Sequence, residues 1–319
     1  MPVVRPVKIM FNITKPKQGE LMKNDISQIW FFSLIISLNL FLFEASQAGT
    51  IPVDSGYVEV NNGSIFYEEA GQGPAIIMIH DGILHRVTWD AQFSFFSQNY
   101  RVIRWDRRGY GKSEPPKTSF SHLEDLATLM DSLKVKQAIL MGCSSGGLLA
   151  IDFTLEHPEK VCGLVLSGPL VSGLGFSKHF RTRGGQQKPA FDAPVSEKIK
   201  YWAWQDRWIT DPENKTVKEK LEILLKANPQ NMTGSGRYAK NPGRPALPLL
   251  SQIKVPTLLL SGESDIPDVH AHIGAIQAGI PGSKRVVLRN CGHLSHFEVP
   301  ELFNQEALDF LGKIKESQQ

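Results

Sequence analysis

Residues 142–147 read Gly-Cys-Ser-Ser-Gly-Gly, which sets Gly142, Ser144 and Gly146 in a Gly-x-Ser-x-Gly pattern. A serine hydroxyl is a poor nucleophile. A sharp turn between a strand and a helix holds it clear of its neighbours and close to backbone N–H groups at the helix start. Side chains two residues before and two after would collide in so tight a turn, which accounts for glycine at both places. Such a serine needs a base, and the base needs an acid that fixes its tautomer. Two later segments supply these types: LSGESD ends in Asp265 and CGH ends in His293. The order Ser144, Asp265, His293 is the one a doubly wound parallel sheet requires. Ser145 as the serine, Asp268 as the acid and His296 as the base stand as neighbouring alternatives.

These residues act together only if a scaffold brings them together. Ala75 to His80, Tyr100 to Trp105, Gln137 to Met141, Val161 to Leu166, Thr257 to Ser261 and Arg285 to Leu288 are short, unalternating apolar runs. Strands buried on both faces have this composition. Between them, Ser121 to Leu133, Gly147 to His157 and Pro300 to Ile314 repeat apolar residues every three or four positions, which predicts helices. Ahead of them, Gly56 to Val60 and Ser64 to Glu69 flank Asn61, Asn62 and Gly63, which predicts a hairpin. Alternation of strand and helix predicts an α/β fold, a mostly parallel central sheet flanked by helices. Ser144, Asp265 and His293 then all follow C-terminal ends of strands, where ligand sites gather.

Residues 170–250 break the alternation. They hold Phe176, Phe180, Tyr201, Trp202, Trp204 and Trp208, a polar patch from Arg181 to Lys188, and a helical pattern from Thr216 to Ala227. They are expected to form a helical lid inserted after the sixth strand, with 49–169 and 251–319 as the core and Thr233 to Pro248 as the return loop.

Five strings in the right order carry a resemblance: IHDGILHRVTWD from Ile79, RWDRRGYGKS from Arg104, GCSSGG from Gly142, LSGESD from Leu260 and CGHLSHFEVPELF from Cys291. Through them residues 56–316 resemble the α/β-hydrolase superfamily, in its branch of lid-bearing, carboxylesterase-like serine hydrolases. The resemblance implies Ser144 as nucleophile, His293 as general base and then acid, and Asp265 as the carboxylate that orients it. It also implies an oxyanion hole from the backbone N–H groups of Gly82 and Ser145. The sequence departs from the family at Asp81, which stands where a glycine usually follows the histidine. A carboxylate there opposes an oxyanion unless it points away or is neutralised. His80, Asp106, Arg107 and Arg108 are expected to brace loops. Ser144 argues against the dehalogenases and epoxide hydrolases that resemble this fold with aspartate as nucleophile.

The chain has 319 residues, 41% hydrophobic and 21% charged, which excludes a disordered, collagenous or disulfide-stapled protein. The net charge of +3 is concentrated in residues 1–28, where Arg5, Lys8, Lys15, Lys17 and Lys23 face Glu20 and Asp25. The rest is nearly neutral, so no nucleic-acid partner is expected. From Ile29 to Phe43 runs an apolar stretch, followed by Ala45, Ser46, Gln47 and Ala48. It is shorter than the ~20 residues of a membrane-spanning helix and resembles a secretory signal, cleaved after Ala48, whose start could be Met22. Residues 1–48 are thus expected to send the protein to the periplasm or medium, or alternatively to anchor it in a membrane. No stable membrane association is expected once the leader is cleaved. Cys143, Cys162 and Cys291 leave at least one cysteine unpaired, and all three are expected as buried apolar residues. No metal-ligand spacing or phosphate loop is present, so no cofactor is expected. The expected activity is hydrolysis of a carboxylic ester or lactone of a small, largely apolar substrate. An amidase or aminopeptidase, a carbon–carbon bond hydrolase, an acyl transferase or perhydrolase, and a non-catalytic binding protein are the rivals.

Overall fold

A computed structural model of the chain describes residues 51–232, 238–240 and 242–317. The leader and its expected cleavage after Ala48 lie outside the described residues.

Eight strands form one sheet in the order β1-β2-β4-β3-β5-β6-β7-β8. β1 (Val53–Val60) and β2 (Gly63–Ala70) make the expected hairpin, with Val60 opposite Gly63 and Asn62 at φ 60° in the turn. Asparagine tolerates that left-handed region better than other side chains. β2 runs antiparallel to β4 (Arg101–Trp105). From β4 onward through β3 (Ala75–Ile79), β5 (Ala138–Cys143), β6 (Val161–Ser167), β7 (Thr257–Gly262) and β8 (Lys284–Leu288), all pairings are parallel.

The unalternating runs are explained by burial. Every residue of β5 and of β7 is buried, and successive residues serve opposite faces. Ile77, Ile79, Leu140, Leu164 and Leu166 belong to one core; Ile76, Met78, Ile139, Met141 and Val165 belong to the other. Each such side chain contributes roughly 1.5–3 kcal/mol by leaving water. β8 differs from the expectation: as the last strand of the sheet it is mostly half-exposed, with Val287 facing solvent.

The helices flanking the sheet are α1 (Asp90–Phe96), α2 (His122–Ser132), α3 (Ser145–Glu156), α5 (Pro267–Gly279) and α6 (Pro300–Ser317), while α4 (Lys215–Ala227) stands apart from it. The Ser121 hydroxyl caps α2 by accepting from the Glu124 N–H at 3.3 Å, and Glu124 and Asp125 sit in its positive first turn. The Asn214 side chain caps α4 at Val217. α6 buries Phe303, Ala307, Phe310 and Leu311, the spacing that predicts it.

Between β6 and β7 the chain leaves the sheet for an inserted segment that contains α4 and several shorter helical turns. Its aromatics divide: Tyr201 is fully buried, Trp202 and Trp208 are half-buried, and Trp204 reaches solvent. No helix among the described residues is long and apolar enough to cross a membrane.

The topology fixes where a site can form. β3 pairs with β4 on one side and β5 on the other, so the chain reverses direction across the sheet there. The loops after β3 and β5 splay apart at the C-terminal ends and leave a crevice between them. Gly82 is on the first loop and Ser144 on the second.

Candidate active site

The β5–α3 turn carries the first element of the site. Ser144 has φ 55° and ψ −116°, a conformation that costs a non-glycine residue on the order of 1–3 kcal/mol and is held only by over-determined surroundings. Its N–H donates to the Ser167 carbonyl and its carbonyl accepts from Leu148. A Cβ on Gly142 would lie 2.6 Å from the Gly146 carbonyl oxygen, the collision expected from the sequence. A Cβ on Gly146 would instead meet β3, 2.3 Å from the Ile79 carbonyl oxygen and 2.6 Å from that of His80. The second glycine therefore sets how closely the turn approaches the loop after β3.

The loops after β7 and β8 supply the second element. Asp265 Oδ2 lies 2.8 Å from His293 Nδ1, and Asp265 Oδ1 accepts from the Ile266 N–H. With Nδ1 engaged, Nε2 is the nitrogen left to serve the cavity that His293 shares with Ser144. Burial pulls the His293 pKa down. The Asp265 charge and hydrogen bond outweigh it, so the pKa is raised above its ordinary value, with Arg183 opposing. Both loops are tight: a Cβ on Gly262 would fall 2.0 Å from the Gly292 carbonyl oxygen. The inserted segment clips the histidine loop through His293 N–H to the Trp208 carbonyl at 2.8 Å and Leu294 N–H to that of Ile209 at 3.0 Å.

The neighbouring alternatives are occupied elsewhere. Asp268, in the first turn of α5, accepts from the Ser177 N–H and hydroxyl at 2.7 and 2.8 Å. His296 is buried against the Trp89 ring, its Nε2 lies 2.9 Å from Thr88 Oγ1, and burial with the nearby His293 charge pushes its pKa down to about 3. Ser145 Oγ accepts from Arg107 Nη2 at 2.9 Å. Cys143 and Cys291 are buried free thiols, pushed up by burial, Cys291 to about 12, so neither is a thiolate at neutral pH. Cys162 departs from the expectation in being only half-buried.

The loop after β3 answers the question raised by Asp81. Its Oδ1 accepts from the N–H groups of Ile83 and Leu84 at 2.7 and 2.9 Å, so the carboxylate serves as the cap of its own turn. Oδ2 is buried without a protein partner. The buried Arg107 guanidinium donates through Nη2 to the Asp81 carbonyl and to Ser145 Oγ. It thus sets a positive charge between Asp81 and the start of α3. Burial lowers the Arg107 pKa, while Tyr110 and Asp81 act to raise it. His80 braces the same loop: Nδ1 lies 2.7 Å from the Asp81 carbonyl and Nε2 accepts from the Arg107 N–H at 3.0 Å. Gly82 and Ser145 come together, for a Cβ on Gly82 would sit 3.4 Å from Ser145 Oγ.

Two residues here escape the sequence-based reading. Gly168, at φ 51°, lies under the histidine ring, and a Cβ there would come within 2.9 Å of His293 Nδ1. Arg107 is the other. It ties the loop after β3 through the Asp81 carbonyl as expected, just as Asp106 pairs with Arg86 and Arg108 with Asp125, but its further bond to Ser145 was not foreseen. The only local signal is a second arginine beside one that already has a partner.

Ser144, His293, Asp81 and Gly82 line a cavity of about 150 Å³ together with Ile83, Leu170, Phe180, Arg183, Trp202, Ile209, Ile266 and Val269. Arg183 is its one cationic side chain besides the histidine, and it is held by Asp206 through Nε and Nη2 at 2.6 and 2.7 Å. Among the described residues no group of three His, Cys, Asp or Glu could hold a metal ion.

The family model of the alpha/beta hydrolase fold matches residues 74–300. The chain is similar to a 2-hydroxy-6-oxo-6-phenylhexa-2,4-dienoate hydrolase of Comamonas testosteroni, 28% identical over 267 residues, 77% of this chain and 91% of the relative. It is 29% identical over 271 residues, 78% of this chain and 91% of the relative, to a 2-hydroxy-6-oxononadienedioate/2-hydroxy-6-oxononatrienedioate hydrolase of Escherichia coli. Among solved structures, Est816, described as an N-acyl homoserine lactone degrading enzyme, matches with a TM-score of 0.66 and 25% identity, over 80% of this chain and all of that one.

Proposed function

The chain belongs to the alpha/beta hydrolase fold family, and from that premise we propose that it is a serine hydrolase cleaving a carboxylic ester or lactone of a small, largely apolar substrate. Ser144 Oγ attacks the carbonyl carbon and its proton passes to His293 Nε2. The oxyanion takes hydrogen bonds from the N–H groups of Gly82 and Ser145. His293 then protonates the leaving alcohol, an acyl-enzyme forms, and a water deprotonated by His293 releases the acid. Residues 170–250 act as the lid. Phe180, Trp202 and Ile209 from that segment line the cavity of Ser144 and His293, where they would exclude water and select the acyl group. Cleavage after Ala48 and export complete the proposal, and N-terminal sequencing of the mature protein checks them by finding Gly49 first.

The observation that carries the reading is the apolar cavity at Ser144 and His293, with its one further cation already bound to Asp206. An inner cavity so lined suits uncharged carbons next to the reacting carbonyl. A second reading is supported by the relatives' names. A 2-hydroxy-6-oxo-dienoate has no ester or amide linkage, so its hydrolysis breaks a carbon–carbon bond. That substrate ends in a carboxylate, which in the inner cavity would have to compete with Asp206 for Arg183.

Hydrolysis of p-nitrophenyl esters from acetate to decanoate, by the chain from Gly49 and by its Ser144→Ala variant, tests the proposal. Turnover by the first alone supports it, and the optimum length sizes the cavity. Turnover of a 2-hydroxy-6-oxo-dienoate with no turnover of any ester moves the assignment to the carbon–carbon reading.

A further inference from the structure

A second cleft opens beside the inner cavity. It has a volume of about 500 Å³ and shares Gly82, Ile83 and Trp202 with the cavity of Ser144. The two spaces therefore adjoin at Gly82, Ile83 and Trp202, which sets the cleft beside a carbonyl carbon held at Gly82. Its walls are mainly apolar, built from Pro189, Ala190, Phe191, Trp202 and Met232, and Phe191 is 69% exposed at the lip.

The polar groups of this cleft fall into two sets. Tyr110 donates its hydroxyl to the Gly82 carbonyl at 3.0 Å, and Asn231 donates to that of Ile83 while its Oδ1 takes the Gly111 N–H. Those groups hold the floor. The other set is Lys188 and Lys198, the two charged residues of the lining, which no carboxylate lining the cleft opposes. Neither ammonium has a carboxylate within ion-pair distance among the described residues. Lys188 Nζ stands 5.5 Å from the centre of the Trp202 ring and Lys198 Nζ 5.4 Å from that of Phe191. Lys198 also donates to the carbonyls of Phe191 and Met232, which fixes it at the rim and leaves one further N–H. Apolar walls ending in two cations without counter-ions, one of them fixed by its two carbonyl acceptors, are complementary to an amphiphilic anion.

We propose that the outer cleft binds the anionic end of the substrate, so that the preferred ester or lactone carries a carboxylate or a phosphate remote from the reacting carbonyl, held by Lys188 and Lys198. The inference rests on the ester reading of Ser144 and names the substrate class within it. It also gives Lys188, exposed and on a loop, the role of a specificity residue.

The test uses the full chain and two matched pairs of esters. One pair carries the anion on the acyl side, p-nitrophenyl glutarate against its methyl ester. The other carries it on the leaving group, 4-acetoxybenzoate against its methyl ester, and a phosphate analogue of each charged member separates the two anion chemistries. In at least one pair the charged member is expected to have the higher kcat/KM, by roughly three- to tenfold for one or two partly exposed ion pairs, expressed in KM. That ratio is expected to fall toward one in Lys188→Gln, to persist in Lys188→Arg, and to shrink in high salt. If neutral esters are turned over and no charged member is preferred, or if Lys188→Gln leaves the ratio unchanged, the inference falls and the ester reading stands. If no ester is turned over, the ester reading falls. Calorimetric titration of the Ser144→Ala variant with both pairs then decides the cleft alone, since equal affinity within a pair overturns it too.

Discussion

Gly146→Ala probes the contact between the two halves of the site. The added methyl carbon would fall 2.3 Å from the Ile79 carbonyl oxygen and 2.6 Å from that of His80. Both are backbone atoms at the end of a fully paired central strand, so neither yields as a side-chain tip does. Restoring an ordinary carbon–oxygen contact requires the β5–α3 turn to retreat from β3 by roughly 1 Å. Ser144 and the Ser145 N–H move with the turn, while Gly82 stays with β3, so the two donors separate. Misplacement on that scale costs about 10²-fold in rate, and loss of one oxyanion donor about 10²–10³-fold. Overpacking lowers stability by about 1–3 kcal/mol as well. The assay is kcat/KM on the best p-nitrophenyl ester with thermal unfolding alongside. Gly312→Ala, where nothing beyond the local helix backbone lies within 4 Å of the new carbon, is the control and is expected to retain activity. A folded Gly146→Ala protein within threefold of the parent rate would refute the placing of Gly82 and Ser145 as a shared oxyanion hole.

Asp265→Asn is expected to lower kcat/KM by roughly 10³- to 10⁴-fold and to move the acid limb of the pH profile. The parent loses activity as pH falls through a midpoint above 6.5, because Asp265 raises the His293 pKa; the variant's midpoint lies lower, and an unmoved limb would contradict the pairing. Asp81→Asn keeps the Oδ1 acceptor for Ile83 and Leu84, and because Arg107 already sets a positive charge beside the carboxylate, kcat/KM on a neutral ester should stay within roughly threefold of the parent. A larger fall would show that the charge is needed. Asp152 is buried, takes the Ser172 hydroxyl at 2.8 Å, and is pushed up to about 6 by burial, with Glu156 adding to it. Its folded pKa exceeds its unfolded one, so its contribution is fully present below about pH 4 and is lost as pH rises through 6. At pH 7 this amounts to about 3 kcal/mol. Melting curves of Asp152→Asn should therefore gain on the parent between pH 4 and 7, whereas parallel curves would contradict the burial.

The parts of the fold legible in the sequence are those whose burial leaves a local mark. β3, β5 and β7 are covered on both faces and so read as unbroken apolar runs, and α6 shows its stripe because one face meets the sheet. α5 was not legible as a helix: its sequence, PDVHAHIGAIQAG, has apolar and small residues around most of its circumference, and only Pro267 marks its start. α1 is too short for a period to register. β8 resembled the inner strands in composition, and only its place at the sheet edge leaves it exposed.

The site divides in the same way. Gly142, Ser144 and Gly146 share one turn, and the turn's geometry dictates their spacing. Asp265 and His293 each lie in the loop that follows a strand, β7 and β8. Gly168 and Arg107 act across the fold, one under a histidine far along the chain and one against the start of α3, so their neighbours in sequence carry little trace of the contact, for Arg107 no more than the arginine beside it. Asp81 was visible as a departure, but its outcome depended on where its carboxylate points and on Arg107 beside it.

The most direct test of the central claim is covalent. A fluorophosphonate ester, incubated with the protein and followed by intact-mass and peptide mass spectrometry, should add once, on the peptide containing Ser144. The rate should rise with pH as His293 loses its proton, and the adduct should be absent in Ser144→Ala. No adduct on the folded protein, or one on another residue that persists in Ser144→Ala, would contradict Ser144 as the nucleophile.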